Sequence, residues 1–350
     1  MSSDNTFTAY AGVAKDKPLE KMQLELREWD EDCVQIDITH CGICGSDIHT
    51  LDQGDQWGAT DYPCVVGHEI TGIVTRIGRN VTHVKEGDRV GIGAQSGSCH
   101  HCSHCEEGME NLCYNGHVGT YNGKYENGSK SYGGYADKWR GDRRFVFKIP
   151  DHLSNEVAAT FFCAGVTTFA PLRRSGVNED SVVGIMGLGG LGHYGVLWAK
   201  AMGAKVIGMS HSDKKRDVAK ELGCDEYLVT SDPEQMKKYK KQLTHILCTG
   251  CSPDFKWSDY LSLLHGNGYF LNVNFPEWEF PPIPPLVLIF NQCFIHGSAI
   301  GSPKEIEEML KFAEEKQVKP WIQKYPMKDV QRAVDDFRAG KPRFRFVLEN

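Results

Sequence analysis

Hydrophobic and polar residues alternate along the first part of the chain in the way that antiparallel strands require. The clearest runs cover residues 34–38 and 69–78, where β-branched residues recur at alternate positions. Residues 87–90 have the composition of a turn that leads into a further strand. Because such strands bury one face and connect through glycine turns, this part of the chain is predicted to form a glycine-rich β domain.

From residue 181 onward the pattern changes. Strand patterns lie at residues 181–186, 205–209, 244–248 and 268–273, and helical patterns lie at residues 191–202 and 214–222. Gly203 and Gly223 follow the two helical patterns in the position of C-terminal caps. Strands that alternate with helices in this way predict a doubly wound parallel sheet with helices on both faces.

The length of the chain suits two domains. At roughly 150 residues per domain, 350 residues allow two separate cores. We predict an α/β protein in which residues 1–152 and 297–350 form the β domain and residues 153–296 form the parallel-sheet domain. In the last part of the chain, residues 303–317 have an amphipathic helical pattern and residues 342–348 have the pattern of a final strand.

An apolar segment at residues 283–295 suggests how two copies could associate. As an edge strand, it would present unpaired backbone groups and apolar side chains to the same strand of a second chain. Since dimers with twofold symmetry are the commonest oligomers, we expect a homodimer.

Charge and composition exclude several classes of partner. The net charge is −7, and nucleic acids or anionic membranes would require a basic surface. The polar first residues carry no secretory signal, and no apolar run is long enough to cross a bilayer. We therefore expect a cytoplasmic protein with small-molecule partners. Thirteen cysteines in such a chain favour metal binding or catalysis over disulfides.

Four of these cysteines have metal-ligand spacing. They follow the pattern C-x2-C-x2-C-x7-C and are Cys99, Cys102, Cys105 and Cys113. Four thiolates complete a tetrahedral zinc site, so the histidines between them are not needed as ligands. An iron–sulfur cluster also takes four thiolates, but this spacing matches neither common ferredoxin pattern. A closed four-thiolate site has a structural role, because no position remains for a substrate.

A second set of residues resembles a catalytic metal site. Cys44, the pair His68-Glu69, and Cys163 are each weak signals alone, since a lone cysteine is usually a core residue. Together with the four-cysteine segment, and in this order, they make the chain resemble the zinc-containing medium-chain alcohol dehydrogenases over nearly its whole length. The resemblance is closest to the cinnamyl alcohol dehydrogenase branch, including its fungal members.

The resemblance implies roles for these residues. Cys44, His68 and Cys163 would hold a catalytic zinc, with Glu69 as an exchangeable further ligand. Two thiolates and one imidazole leave a position for substrate oxygen, which the metal polarises. Asp47 would orient His68 as an outer-shell partner.

A proton path is also implied. Ser46 would pass a proton between the substrate oxygen and the cofactor ribose, and His49 would carry it onward to solvent. The alternative for Ser46 is that it caps a helix that starts at Asp47. For His49 the alternative is an ordinary surface imidazole.

A glycine-rich loop predicts nucleotide binding. It fits G-x-G-x-x-G and consists of Gly187, Leu188, Gly189, Gly190, Leu191 and Gly192. The match has meaning because the loop follows a predicted strand and opens a predicted helix. Backbone N–H groups there can approach a pyrophosphate at the helix N-terminus.

The end of the next strand indicates NADP(H). An acidic residue there would hold the ribose of NAD, but this chain has Ser210 and His211, followed by Lys215, which suit a 2′-phosphate. We interpret Asp213, or Ser212, as the cap of the following helix. The alternative for the lysines is a solvated helix face. By resemblance, the nicotinamide and ribose would be lined by Thr167, Thr249, Ser298, Ala299 and Ile300.

The predicted function is zinc-dependent hydride transfer between NADPH and an aldehyde or alcohol, in a cleft between the two domains. Resemblance suggests aromatic or medium-chain aliphatic substrates, and candidate pocket residues are Trp57, Tyr121, Trp139 and Ile300, which as apolar side chains could equally fill a core. Three alternatives are another carbonyl or iminium reductase, a polyol dehydrogenase, and a non-enzymatic zinc-stabilised NADP-binding sensor. Polyol dehydrogenases often prefer NAD, and the strand-end residues speak against that choice.

Overall fold

The computed structural model describes residues 5–53 and 58–350. It contains two compact units, one made of Met1–Val166, Gly301–Glu315 and Trp321–Asn350, the other of Thr167–Ile300 and Lys316–Pro320. The observed transitions therefore follow Val166 and Ile300, whereas the predicted ones followed residues 152 and 296.

The first unit is built on short strands from the N-terminal part of the chain. These are β1 (Thr6–Ala11), β2 (Glu20–Glu25), β3 (Cys33–Gly42), β4 (Ile70–Ile77), β5 (Arg89–Ile92), β6 (Gln95–Gly97), β7 (Val118–Gly119), β8 (Lys138–Asp142) and β9 (Phe147–Lys148). The helices among them are α1 (Gly45–Asp52), α2 (Ser103–Glu106) and α3 (Asn155–Ala159). Strand β3 pairs antiparallel with both β4 and β8, which agrees with the alternation in the sequence.

The second unit is the predicted doubly wound sheet. Its division from the first falls within α4 (Ala164–Arg174). The elements that follow are β10 (Val182–Met186), α5 (Gly190–Ala201), β11 (Lys205–Ser210), α6 (Arg216–Leu222), β12 (Glu226–Val229), α7 (Pro233–Lys238), β13 (Leu243–Cys248), α8 (Trp257–Leu261), β14 (Leu264–Asn272), α9 (Pro285–Asn291) and β15 (Phe294–Gly297). All six strands are parallel, in the order β12-β11-β10-β13-β14-β15. The strand order reverses between β10 and β13, which is where such sheets bind nucleotides.

Apart from Lys316–Pro320, the last part of the chain returns to the first unit. It forms α10 (Pro303–Lys316), β16 (Ile322–Pro326), α11 (Val330–Arg338) and β17 (Arg345–Glu349). Strand β17 pairs antiparallel with β3 and parallel with β16, which completes a sheet in the order β16-β17-β3-β4-β5-β9. This pairing places the C-terminal strand next to the residues that precede α1.

One predicted strand is mostly a helix. The segment 283–295 forms α9 over Pro285–Asn291, and only its last two residues, Phe294 and Ile295, lie in the edge strand β15. Pro284 and Pro285 explain the difference, because proline is favoured in the first turn of a helix and cannot donate to a β ladder. Among the helices of the described ranges, none combines the length and apolarity needed to span a membrane.

Candidate metal and cofactor sites

The four cysteines of the spacing motif converge in the first unit. The sulfur of Cys102 lies 3.5 Å from that of Cys105 and 3.9 Å from that of Cys113, and the sulfurs of Cys99 and Cys105 are 3.9 Å apart. A backbone N–H of His101 lowers the pKa of Cys99 to about 6, whereas burial raises that of Cys105 to about 12. Thiols held this close favour a metal that replaces their protons, and the donor set fits a closed zinc site.

The histidines of this segment make other contacts, which agrees with the prediction that they are not zinc ligands. His101 Nδ1 lies 2.5 Å from the carbonyl oxygen of Cys99, and His104 Nδ1 lies 2.6 Å from that of Leu112. His100 Nδ1 lies 3.0 Å from the Ser98 hydroxyl. The four ligand atoms that lie within 4.8 Å of one another are all sulfurs.

A second set of ligand atoms meets around the start of α1. Atoms of Cys44, His68, Glu69 and Cys163 lie within 4.8 Å of one another, and all four residues are buried. The sulfurs of Cys44 and Cys163 are 3.9 Å apart. In the described part of the chain, His68 Nε2 and Glu69 Oε2 are buried without a hydrogen-bond partner. Buried polar atoms are normally paired, so a metal ion is the partner that fits this cluster.

Electrostatics within this cluster favour thiolate character. The hydrogen bond from Cys163 lowers the pKa of the Cys44 thiol well below its usual value and raises that of Cys163. Burial lowers the pKa of His68, but the Cys44 thiolate outweighs that effect and raises it to about 9. The cluster therefore favours a negative charge on the Cys44 sulfur, and this charge would stabilise a bound cation.

Asp47 holds the backbone around the ligands, and its predicted role as the outer-shell partner that orients His68 stays a prediction. Its carboxylate accepts hydrogen bonds from the backbone N–H of Cys44 (2.9 Å), the backbone N–H of Gly67 (3.1 Å) and the hydroxyl of Tyr135 (3.2 Å). Among the described residues, no hydrogen bond joins Asp47 to His68. Because Asp47 is the third residue of α1, its carboxylate is directed back to the helix start, where it forms a capping box with Cys44.

Ser46 and His49 lie on α1 next to the cluster. The helix begins at Gly45 with Cys44 as its N-cap, so the alternative that Ser46 caps a helix starting at Asp47 is wrong. The Ser46 hydroxyl lies 3.6 Å from the Cys44 sulfur. His49 follows three residues later and therefore shares a helix face with Ser46. Both side chains are partly exposed.

Sequence reasoning missed Arg345, which forms a buried ion pair with Glu69. The guanidinium is 4% exposed and the carboxylate is fully buried, and the two residues are 276 positions apart in the chain. Burial raises the pKa of Glu69 to about 7, although the charge of Arg345 acts in the opposite direction. Alternation in a strand places Arg345 on the face opposite to its neighbours Phe344 and Phe346, so the sequence pattern carried no signal that the arginine is buried.

The glycine loop has the geometry that its pattern predicted. Gly189 is the N-cap of α5, and Gly187 has a φ of 89°, which favours glycine. A Cβ on Gly192 would lie 1.9 Å from the carbonyl oxygen of Gly187, so only glycine fits there. The Thr249 hydroxyl lies 2.6 Å from the same carbonyl oxygen, which connects the end of β13 to the loop.

The structure brings Lys215 to this loop. Its ammonium group donates a 2.8 Å hydrogen bond to the carbonyl oxygen of Leu188, and desolvation lowers its pKa. Ser210 ends β11 and is partly exposed, and His211 is exposed beside it. Asp213 does not cap α6, since its carboxylate pairs with Arg216 at 2.6 Å, and Ser212 makes no capping bond either within the described residues.

The remaining residues predicted to contact the cofactor lie on other elements than the glycine loop. Thr167 is buried on α4. Ser298 follows β15 and accepts a 2.6 Å hydrogen bond from Arg174, and Ala299 is exposed. Ile300 has a φ of 42°, an unusual conformation for a β-branched residue. Such strain is common at functional positions, and the roles of these residues stay predictions.

Of the candidate pocket residues, two have structural partners. Trp139 is 3% exposed in the core of the first unit. Tyr121 stacks on His68 with a centroid distance of 5.2 Å and an interplanar angle of 3°, so it supports a ligand ring. Trp57 lies outside the described residues.

Two protein-family profiles match the chain in succession. Residues 30–151 match the alcohol dehydrogenase GroES-like domain, and residues 190–315 match the zinc-binding dehydrogenase domain. The first match contains Cys44, His68 and the four-cysteine segment, and the second contains Lys215 and Thr249. Cys163 lies between the two matches.

Named relatives are similar over almost the whole chain. 8-Hydroxygeraniol dehydrogenase of Catharanthus roseus is 40% identical over 347 residues, which are 97% of this chain and 94% of the relative. NADP-dependent alcohol dehydrogenase C 1 of Mycolicibacterium smegmatis is 39% identical over 346 residues, 99% of this chain and 98% of the relative. Among solved structures, a cinnamyl alcohol dehydrogenase of Sorghum bicolor matches with a TM-score of 0.92 and 34% identity, covering 98% of this chain and 97% of that one.

Proposed function

Because this chain belongs to the zinc-binding alcohol dehydrogenase family, we propose that it is an NADP(H)-linked, zinc-dependent alcohol dehydrogenase that also reduces aldehydes. The observation that carries the proposal is the buried cluster of Cys44, His68, Glu69 and Cys163, with unpaired nitrogen and oxygen atoms directed into it. Two zinc ions per chain are expected, one in this cluster and one among the four cysteines of the spacing motif. When bound, the metal supplies a Lewis acid for the substrate oxygen and the nicotinamide supplies or accepts the hydride.

The chain itself positions the ligands and moves the proton. Asp47 holds the backbone before both Cys44 and His68, so it fixes the start of α1 relative to the ligand loop. During aldehyde reduction, Ser46 would donate its hydroxyl proton to the substrate oxygen. His49, one helical turn further along, would then return a proton from solvent to Ser46.

Preference for NADP(H) is supported by the contacts at the glycine loop. Lys215 keeps a positive charge against this loop, and no carboxylate ends β11, where Ser210 stands. The acid that would bind the ribose hydroxyls of NAD is therefore replaced by groups that can bind a 2′-phosphate. The mycobacterial relative is named as NADP-dependent, which is consistent with this assignment.

The proposed substrates are aromatic or medium-chain aliphatic alcohols and aldehydes. Two relatives are named for 8-hydroxygeraniol and for cinnamyl alcohol. The decisive experiment mixes the pure protein with NADPH or NADH and a panel of aldehydes that includes cinnamaldehyde, follows the absorbance of reduced nicotinamide, and measures zinc on the same sample. Rapid NADPH oxidation with two zinc ions per chain is expected. Full zinc without turnover of any aldehyde would favour an unusual carbonyl or iminium substrate, or the sensor.

Cofactor preference should respond to a single carboxylate at the end of β11. We expect Ser210→Asp to raise the KM for NADPH about tenfold, because a like charge placed next to a phosphate costs about 1.4 kcal/mol. The KM for NADH should fall or stay unchanged. Steady-state kinetics with both cofactors measure the effect, and Lys220→Gln, which changes the net charge equally on the exposed side of α6, is the control. Equal loss with both cofactors would contradict the assignment of this position.

A homodimer through the edge of the second unit is part of the proposal. Around α9 and β15, Leu286 and Ile289 are each 64% exposed and Phe290 is 78% exposed, and β15 is the edge strand of the parallel sheet. Contiguous exposed apolar side chains next to a sheet edge favour association with a second copy.

Phe290→Asp is therefore expected to shift the protein from dimer to monomer at micromolar concentration, as measured by sedimentation velocity. Tyr114→Ser, which removes a comparably exposed aromatic ring elsewhere, should leave the dimer intact. A monomeric wild type, or a dimeric Phe290→Asp variant, would reject this interface. The cytoplasmic location and the affiliation with fungal members stay predictions.

A further inference from the structure

A pair of cysteines occupies the end of β13, outside both metal clusters. The sequence Cys248-Thr249-Gly250-Cys251 begins at the last residue of the strand and continues into the loop that follows. Strand β13 is the neighbour of β10, and the glycine loop begins where β10 ends. The two thiols thus flank the point at which the strand order reverses, where a nucleotide is expected to bind.

The two thiols differ in the way that a redox pair requires. Cys248 is fully buried in the hydrophobic core of the second unit, whereas Cys251 packs on the same core and is partly exposed. The side-chain amide of Asn274 donates a hydrogen bond of 3.2 Å to the Cys251 sulfur. The neighbouring Cys248 thiol, and then Asn274, lower the pKa of Cys251, whereas the pKa of Cys248 is raised. Because Cys251 is the more exposed of the two thiols and its sulfur accepts a hydrogen bond from Asn274, it is the nucleophile, and the buried Cys248 is the partner that can resolve it.

The residues between the cysteines are in direct contact with the glycine loop. The Thr249 backbone N–H donates a hydrogen bond of 2.9 Å to the carbonyl oxygen of Met186. The Thr249 hydroxyl lies 2.6 Å from the carbonyl oxygen of Gly187. A Cβ on Gly187 would lie 2.9 Å from the backbone nitrogen of Gly250, so the two segments are already at their closest approach. Any rotation of the 249–250 peptide is therefore transmitted to the loop.

We propose that Cys248 and Cys251 form a redox-active dithiol whose oxidation to a disulfide weakens binding of the nicotinamide cofactor. The oxidant is a hydroperoxide. The Cys251 thiolate attacks one peroxide oxygen, which breaks the O–O bond and gives a sulfenic acid and, after protonation, one molecule of water or alcohol. The Cys248 sulfur then attacks the Cys251 sulfur, which forms the S–S bond and releases water. Two thiols lose two electrons and two protons in total, and the peroxide is reduced.

The effect on cofactor binding follows from the geometry of a disulfide. A disulfide fixes the separation of its two Cα atoms at about 5.5 Å and restricts its torsion, so its formation constrains the intervening peptide of residues 249–250. Thr249 would then lose its contact with the Gly187 carbonyl oxygen, and the loop would lose the backbone arrangement that faces a pyrophosphate. Only this second part of the proposal rests on the proposed function, because formation of the disulfide can be read without any cofactor.

The chain offers a direct readout. Trypsin cleavage after Lys241 and Lys256 releases one peptide, residues 242–256, which contains Cys248 and Cys251 and no other cysteine. The zinc-loaded protein is treated with low hydrogen peroxide, quenched with catalase, alkylated and digested. We expect the oxidised peptide to lack two hydrogens and to resist alkylation until it is reduced. On the same samples, the Kd for NADPH, measured by nicotinamide fluorescence, should rise about tenfold and recover with dithiothreitol.

Two variants and a zinc assay separate this from other oxidation. Cys251→Ser should bind NADPH like untreated wild type and should keep that affinity after peroxide, and Cys248→Ala should do the same. Zinc release, followed with a chromogenic chelator, reports damage to the metal clusters, so the comparison is made at peroxide doses that release none. Two free thiols in peptide 242–256 at those doses, or a disulfide without a change in Kd, would overturn the proposal. If untreated wild type binds no NADPH, the proposed function fails, and the peptide still decides the thiol chemistry.

Discussion

Replacement of Cys163 by serine is expected to remove one zinc ion per chain and to lower kcat for aldehyde reduction about a thousandfold or more. Cys163 provides one of the two sulfurs in the buried cluster, 3.9 Å from that of Cys44. A serine hydroxyl is a poor zinc ligand at neutral pH, and a Lewis acid contributes several kcal/mol to stabilising charge on the substrate oxygen. A loss of about 4 kcal/mol corresponds to about a thousandfold in rate.

The measurements are zinc per chain, kcat with a good aldehyde, and the Kd for NADPH, which should stay close to that of wild type because the glycine loop belongs to the other unit. Cys224→Ser is the matched control, since Cys224 is partly exposed and outside both clusters. It should keep both zinc ions and full activity. Cys105→Ser should also lose one zinc ion, but its main effect should be a lower Tm. Full zinc and normal turnover in Cys163→Ser would reject the catalytic assignment of the buried cluster.

Features that depend only on residues close together in the chain could be predicted from local patterns in the sequence. Membership of the zinc medium-chain dehydrogenases was confirmed, and so was the α/β class with its doubly wound sheet. The glycine loop could be predicted because its strand, turn and helix are consecutive, and each glycine has a steric reason within a few residues. The four-cysteine segment could be predicted for the same reason, since all its ligands lie within one short loop.

Contacts between distant residues could not be obtained in this way. Arg345 and Glu69 meet because β17 pairs with β3, and the pattern within one strand does not show which distant residue a side chain contacts. The backbone contacts of Asp47 could not be predicted for a related reason. Its place in the third position of α1 directs the carboxylate to the backbone of Cys44, and the helix start could only be located from the structure.

The segment 283–295 shows where composition misled. A short run of apolar residues is typical of strands and of helices alike, and length alone did not separate the two here. The two prolines were the better signal, because they favour the first turn of a helix and would leave gaps in a β ladder.

The buried ion pair of Arg345 and Glu69 should have the largest effect on stability. We expect Arg345→Met to lower the free energy of unfolding by about 3–5 kcal/mol, because it leaves the fully buried carboxylate of Glu69 without its cation. The double variant Glu69→Gln/Arg345→Met should recover part of that loss, since it removes both charges and leaves neutral groups of similar volume. Urea unfolding at constant zinc concentration, followed by tryptophan fluorescence, measures each variant.

The control is Lys324→Met, which removes an ion pair with Glu349 on the neighbouring strand. There the two side chains are 45% and 46% exposed, so the change should be at most about 1 kcal/mol. A loss of that small size in Arg345→Met would mean that the carboxylate of Glu69 is held by something other than the guanidinium. Recovery of stability in the double variant would show that Arg345 neutralises the buried carboxylate of Glu69, which belongs to the metal cluster. In that case the C-terminal strand contributes to the site although it supplies no ligand, because pairing of β17 with β3 is what brings the guanidinium to Glu69.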